Sequence, residues 1–297
     1  MLPQKAAAHA SDASPSLAAA WTLDPALLLP LVAGILLYAT GLVMYWRRAG
    51  PGHGIRVFEA AAFLAGVLVL LVALVWPLDV LGEWSLAMHM AQHMLLIAVV
   101  APLILLGRPG VVWLKALPAA WAVRVAWPVR VLKRREAFAL FTGITAATLM
   151  QTGVMWGWHA PQAMQFALTN NLAHYAMHGS FLAAGLLFWW ALLRSLRDKA
   201  AGFGAGAIAL VGTMAQMGLL SALLTFSRLP RYPWYFERSD ALGLTPLEDQ
   251  QLAGLIMWVP GAVPYLIGAL WLTATWLLRS ERGDARRRRS TSAKPAI

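Results

Sequence analysis

The chain has 297 residues, of which 60% are hydrophobic and 12% charged, with a formal net charge of +11 and a mean hydropathy of +0.62. A soluble domain carries about 25% charged residues, so this composition excludes an ordinary soluble globular fold and indicates an integral membrane protein. Cysteine is absent, which excludes disulfides, thiolate metal sites and thiol catalysis and leaves imidazole, thioether, carboxylate and amide as metal-ligating groups.

The first 20 residues, rich in Ala and Ser, contain no apolar core of secretory-signal length. Residues 1–24 are read as a disordered, translocated N-terminal tail, and His9 within it is given no metal role. An all-α domain of seven transmembrane helices is expected over 25–279, followed by a basic cytoplasmic tail over 280–297. Against the roughly 20 residues needed to cross a bilayer, the seven segments are about 26–46, 57–77, 84–106, 137–158, 173–193, 205–227 and 252–278.

Orientation follows from positive charge. With the N-terminus outside, 20 of the 24 Lys and Arg residues fall on the inner side, and only Lys5, Arg228, Arg231 and Arg238 lie outside. Most of the net charge is thus assigned to topology and to anionic inner-leaflet lipid, with no nucleic-acid partner. The run Arg286 to Arg289 is read as a solvated tail. The inner loop at about 107–136, with Trp113, Trp121 and Trp127 among basic residues, suits a helix lying in the membrane interface. The outer loop at about 228–251 carries Tyr232, Trp234, Tyr235 and Phe236 and is expected to fold back over the outer mouth. Glu59, near the inner end of the second segment, is expected to pair with Arg56.

The third segment carries the first chemical signal. At 100° per residue Ser85, His89, Gln92, His93 and Leu96 share a stripe, so both imidazoles face one neighbour. At a helical rise of about 1.5 Å per residue, His89 and His93 lie roughly 7 and 13 Å below Trp84 at the outer boundary. The fifth segment also starts outside, and Asn171, His174 and His178 repeat the arrangement at similar depth. His159 ends a row with Gln151 and Met155 in the fourth segment. Ionisable side chains inside a bilayer are expensive and mark functional sites. Two neutral imidazoles one turn apart supply two metal ligands from one helix and leave the rest to a facing helix. The candidate ligands are therefore His89, His93, His174, His178 and His159, while His53 receives no role.

The surrounding residues narrow the chemistry. No glutamate stands between the paired histidines as it does in HExxH metalloproteases, which argues against metal-assisted hydrolysis. Met88, Met90, Met94 and Met177 flank the pairs, and imidazole with thioether suits Cu(I). Each methionine is also an ordinary gap-filler in helix packing. Asp79, Glu83, Glu248 and Asp249, with Gln92 and Met155, are candidates for drawing in a cation or orienting the ligands. The stretch Thr245 to Glu248 reads equally as a capped helix start. In the seventh segment, Pro260, Gly261 and Pro264 bend the helix or fit it around its neighbours.

The stretch His89-Met90-Ala91-Gln92-His93-Met94-Leu95-Leu96, the Trp158-His159-Ala160-Pro161 step, His174 and His178 followed by Phe188-Trp189-Trp190, and Glu248-Asp249-Gln250-Gln251 through Gly254-Leu255-Ile256-Met257-Trp258-Val259-Pro260-Gly261 together resemble the CtaG family of caa3-type cytochrome c oxidase assembly factors. The resemblance runs from about residue 21 to 278. It implies a multi-pass protein of the bacterial cytoplasmic membrane that matures a haem-copper oxidase of the respiratory chain by handling copper, and that is not an enzyme. The oxidase subunit, a periplasmic or extracellular copper donor and the bilayer are the expected partners. A competing reading makes the histidines axial ligands of haem in an electron-transfer or haem-handling protein. A cation transporter would need polar residues continuing inward, and beyond Thr213, Gln216, Ser221 and Thr225 in the sixth segment few are present.

Overall fold

The computed structural model describes residues 21–132, 142–196 and 199–292. Residues 1–20, which include most of the expected N-terminal tail, lie outside the described residues, as do residues 133–141 and the final five. Among the described residues the structure is entirely helical, without strands. Helices α1 (Pro25–Ala49), α2 (Val57–Leu74) and α3 (Leu78–Trp84) are followed by α4 (Leu86–Met94), which runs through a π-helical stretch, Leu95–Val100, into α5 (Ala101–Leu106). Then come α6 (Pro109–Ala116), α7 (Ala119–Leu132), α8 (Ile144–His159), α9 (Pro161–Thr169), α10 (Asn171–Ser195), α11 (Lys199–Thr225) and α12 (Pro246–Ser292).

Six spans in the described residues are long and apolar enough to cross a membrane: Pro25–Ala49, Val57–Trp84, Leu86–Leu106, Asn171–Ser195, Phe203–Thr225 and Pro246–Leu278. The remaining expected segment, at about 137–158, is described only from Thr142 onward, and its helix α8 has 16 residues. The bundle turns large apolar side chains outward, among them Leu36, Ile208, Val259 and Ile267. A continuous apolar exterior of this kind is rare on soluble monomers and belongs against lipid. The fold is that of a multi-pass helical membrane protein.

The main core joins α4, the π-helical stretch, α5, α10, α11 and α12 through Met90, Ile97, Ala101, Phe181, Met217 and Tyr265, all fully buried. The π-helical stretch sits at its centre and has a local cause. Pro102 has no N–H, so the Ile97 carbonyl lacks a donor five residues on, the partner a π-helix requires. The Trp189 indole of α10 supplies that bond at 3.0 Å. Gly185 makes the approach possible, because a Cβ there would come within 3.0 Å of the Ile97 backbone.

A smaller core joins α1, α2 and α6 through Tyr38, Ile55, Phe63, Val67 and Val112. Here the expectation of an interfacial helix needs division. Helix α6 lies against α1, with the Trp113 indole donating to the Gly34 carbonyl at 2.9 Å and Val112 fully buried beside Gly41. Helix α7, by contrast, leaves Trp121 and Trp127 exposed. Burying Val112 against a helix removes more apolar surface from a polar environment than laying it among headgroups. Glu59 closes a capping box on the Arg56 backbone and lies 3.6 Å from the Arg108 guanidinium.

Candidate metal centre

Both histidine-bearing helices begin at the same end of the bundle, and each start is capped. Ser85 accepts from the Met88 N–H at 3.2 Å. Asp249, fully buried on α12, accepts from the Ser85 hydroxyl at 2.5 Å, the Leu86 N–H at 2.7 Å and the Ala87 N–H at 3.1 Å. A carboxylate from a helix far along the chain thus satisfies the first donors of α4 and complements its positive end. Asn170 does the same for α10, accepting from the Ala173 N–H at 3.0 Å. The caps fix where each first turn starts, and hence the direction of the histidines one and two turns in.

The two pairs face each other. The ring centroids of His89 and His93 are 4.5 Å apart, those of His174 and His178 are 4.4 Å apart, and His89 lies 5.6 Å from His174 and 5.5 Å from His178. His89, His174 and His178 each offer a ring nitrogen, and these nitrogens all lie within 4.8 Å of one another. The Nε2 atoms of His89 and His178 are buried without hydrogen-bond partners among the described residues. Buried imidazole nitrogens normally find a partner, and three imidazoles whose ring nitrogens lie this close together are an arrangement a cation can complete.

His93 lies deeper. Its ring stacks on Phe181 at 4.1 Å and sits 5.3 Å from His178 and 5.9 Å from His159, and both of its nitrogens are buried without a hydrogen-bond partner among the described residues. His159 occupies a separate corner at the end of α8. Its Nδ1 lies 2.6 Å from the Met155 carbonyl and its Nε2 lies 3.0 Å from the Met90 sulfur.

The segment between α11 and α12 closes over this end. Tyr235 is fully buried and donates to the Gly82 carbonyl at 2.9 Å, with His89 Nδ1 at 3.2 Å. Burial, reinforced by the Asp249 carboxylate, holds the Tyr235 phenol well above its ordinary range. The single phenolic proton goes to Gly82, so His89 Nδ1–H donates to the phenol oxygen and Nε2 carries the lone pair. Tyr232 donates to the His159 carbonyl at 2.8 Å, and burial pushes its phenol up to about 12. The Gln250 side chain accepts from the Arg231 N–H at 2.7 Å and ties this segment to α12.

The other candidates take varied positions. Gln92 is turned away from the imidazoles and donates to the Ala73 carbonyl at 2.7 Å and to Asp79 at 3.4 Å. Asp79 also accepts from the Thr22 hydroxyl. Glu83 is exposed, and its backbone carbonyl accepts from the Trp234 indole at 3.3 Å. Glu248 is exposed and closes a capping box with Thr245, at 2.9 and 2.7 Å, as the helix-start reading expects. Met155 is fully buried, with its sulfur 4.0 Å from the Gln216 amide. Tyr235 was legible in sequence only as an interfacial aromatic; its contact with His89 bridges 146 residues and has no local signature.

Fold and site together define a multi-pass helical membrane protein with five histidines gathered near one end of its bundle. The chain belongs to the family of cytochrome c oxidase caa3 assembly factors, whose sequence profile matches residues 36–279. It is also 26% identical over 279 residues to uncharacterized protein Mb0105 of Mycobacterium bovis and, equally, to uncharacterized protein MT0111 of Mycobacterium tuberculosis. Those alignments cover 86% of this chain but only 39% of the relatives, so the chain spans well under half their length. No solved structure matches it.

Proposed function

We propose that this assembly factor holds copper, as Cu(I), on His89, His174 and His178 and passes it to a subunit of a cytochrome c oxidase. The observation that carries this reading is the convergence of three imidazole nitrogens within 4.8 Å of one another, drawn from two helices. Neutral imidazoles suit a borderline or soft ion, and the absence of any carboxylate in that group argues against magnesium or calcium. His93 is the next nitrogen donor inward, and Tyr235 orients His89 from behind.

The charge distribution of the sequence supports placing this end in the outer leaflet of the bacterial cytoplasmic membrane. A donor in the outer compartment then loads the site, and the ion leaves laterally to an oxidase subunit in the same leaflet. No bond is made or broken beyond ligand exchange, so no catalytic base is required. A single ion suits the packing better than haem. A macrocycle needs a slab of space between its axial ligands, and Phe181 already stacks on His93 at 4.1 Å.

The test is metal analysis of the purified protein in detergent, with its visible spectrum, beside a His89→Ala/His178→Ala variant. The expected result is copper in the parent, about one equivalent per chain less in the variant, and no Soret band. Equal copper in both proteins, or a haem spectrum, overturns the reading.

A further inference from the structure

Met90 and His159 form a contact that hydrogen bonding does not explain. The Met155 carbonyl can only accept, so at 2.6 Å it takes the proton of His159 Nδ1. The neutral ring then presents a bare lone pair at Nε2. The atom facing it at 3.0 Å is the Met90 thioether sulfur, which also has no proton to give. Two lone pairs are thus pressed together among fully buried side chains, Met90 and Met155, with His159 almost as buried. A soft cation between them turns this repulsion into two bonds. With metal–nitrogen and metal–sulfur distances of about 2.0 and 2.3 Å, the present separation corresponds to an angle of about 90° at the ion, and opening the pair by about half an ångström makes it tetrahedral.

His93 provides a second, independent observation. Both of its ring nitrogens are buried without a hydrogen-bond partner among the described residues, and its ring lies between His178 at 5.3 Å and His159 at 5.9 Å. One nitrogen suffices for a ligand to either neighbour. The neutral ring keeps its proton on one nitrogen and offers the lone pair of the other, and with neither nitrogen tied to a partner a change of tautomer lets it face first one neighbour and then the other.

We infer that the chain has a second, thioether-containing Cu(I) station, made of His159 and Met90 and reached from the three-histidine site through His93. This deepens the proposed function and rests on the same cargo, but on different residues. The first station is all nitrogen, and the second mixes nitrogen with sulfur and is therefore softer. An ion moving from the first to the second changes its ligands stepwise and stays out of water throughout.

The test is anaerobic Cu(I) titration of the full chain in detergent against a colorimetric chelator, with copper-edge X-ray absorption on the loaded samples. The parent is expected to take two equivalents. The chain contains no cysteine, so any sulfur neighbour of copper in the parent is a methionine. Met90→Leu, a volume-conserving change, is expected to take one equivalent and lose the sulfur neighbour. His174→Ala is expected to take one equivalent and keep it. A loaded parent without a sulfur neighbour overturns the second station without recourse to any variant. Met90→Leu with unchanged stoichiometry and an unchanged sulfur neighbour does the same. Copper lost in His174→Ala but untouched in Met90→Leu leaves the three-histidine site standing alone. Two equivalents in His174→Ala, with one lost in Met90→Leu, supports the second station and overturns the first.

Discussion

Under the proposed function two demands meet at His89: the ring must be neutral to bind copper, and its free nitrogen must face the other imidazoles. Tyr235 meets both through one hydrogen bond, because its own proton is committed to Gly82. Replacing the phenol with phenyl removes that orientation and leaves the ring in place. Tyr235→Phe is therefore expected to weaken Cu(I) binding between about 10- and 100-fold, the usual effect of losing a group that orients a metal-bound histidine. Competition with a chelator measures it, and an unchanged affinity would remove Tyr235 from the site. Which histidines gather was legible in the sequence, because i, i+4 spacing puts each pair on one helical face whatever surrounds it. What stands behind them was not. Gln92 shares the stripe of His89 and His93, yet its amide finds the Ala73 carbonyl and Asp79 closer to hand. A side chain with both donor and acceptor settles on the nearest unsatisfied partner, and only the tertiary structure says which that is.

Among the elements, the helix carrying His89 and His93 is shaped from both ends. Asp249 fixes its start, and beyond His93 it loosens into a π-helical stretch ahead of Pro102. The Trp189 indole meets the carbonyl that Pro102 leaves without a donor. Trp189→Phe keeps most of the ring packing and strands that buried carbonyl, for an expected loss of about 1–3 kcal/mol. Denaturant unfolding in detergent tests this, and an unperturbed midpoint would mean the carbonyl finds another donor. Periodicity and hydropathy located the apolar helices to within a few residues, since long apolar runs are the strongest sequence signal. The division of the 107–136 loop was not visible, because α6 and α7 have similar compositions. The close meeting of Gly41 with Val112 decides which of the two docks on α1. Helix α9, in the short connection between α8 and α10, falls between the expected segments and belongs to none of them.

For the whole molecule, the five histidines form a path and not a ring. His174 and His178 stand at its head with His89, His93 lies deeper, and His159 closes it on another helix. Under the proposed function, cells producing His89→Ala/His178→Ala protein should assemble oxidase whose copper content is reduced several-fold, as measured on the purified oxidase. Full copper occupancy would sever the histidines from assembly. The wall and the cover of this path also share an anchor. Asp249 caps the helix of His89, and its neighbour Gln250 holds the segment from which Tyr232 and Tyr235 reach inward. A chimera that exchanges residues 228–245 for the loop of another family member must therefore import 246–251 with it, or the graft arrives without its foothold.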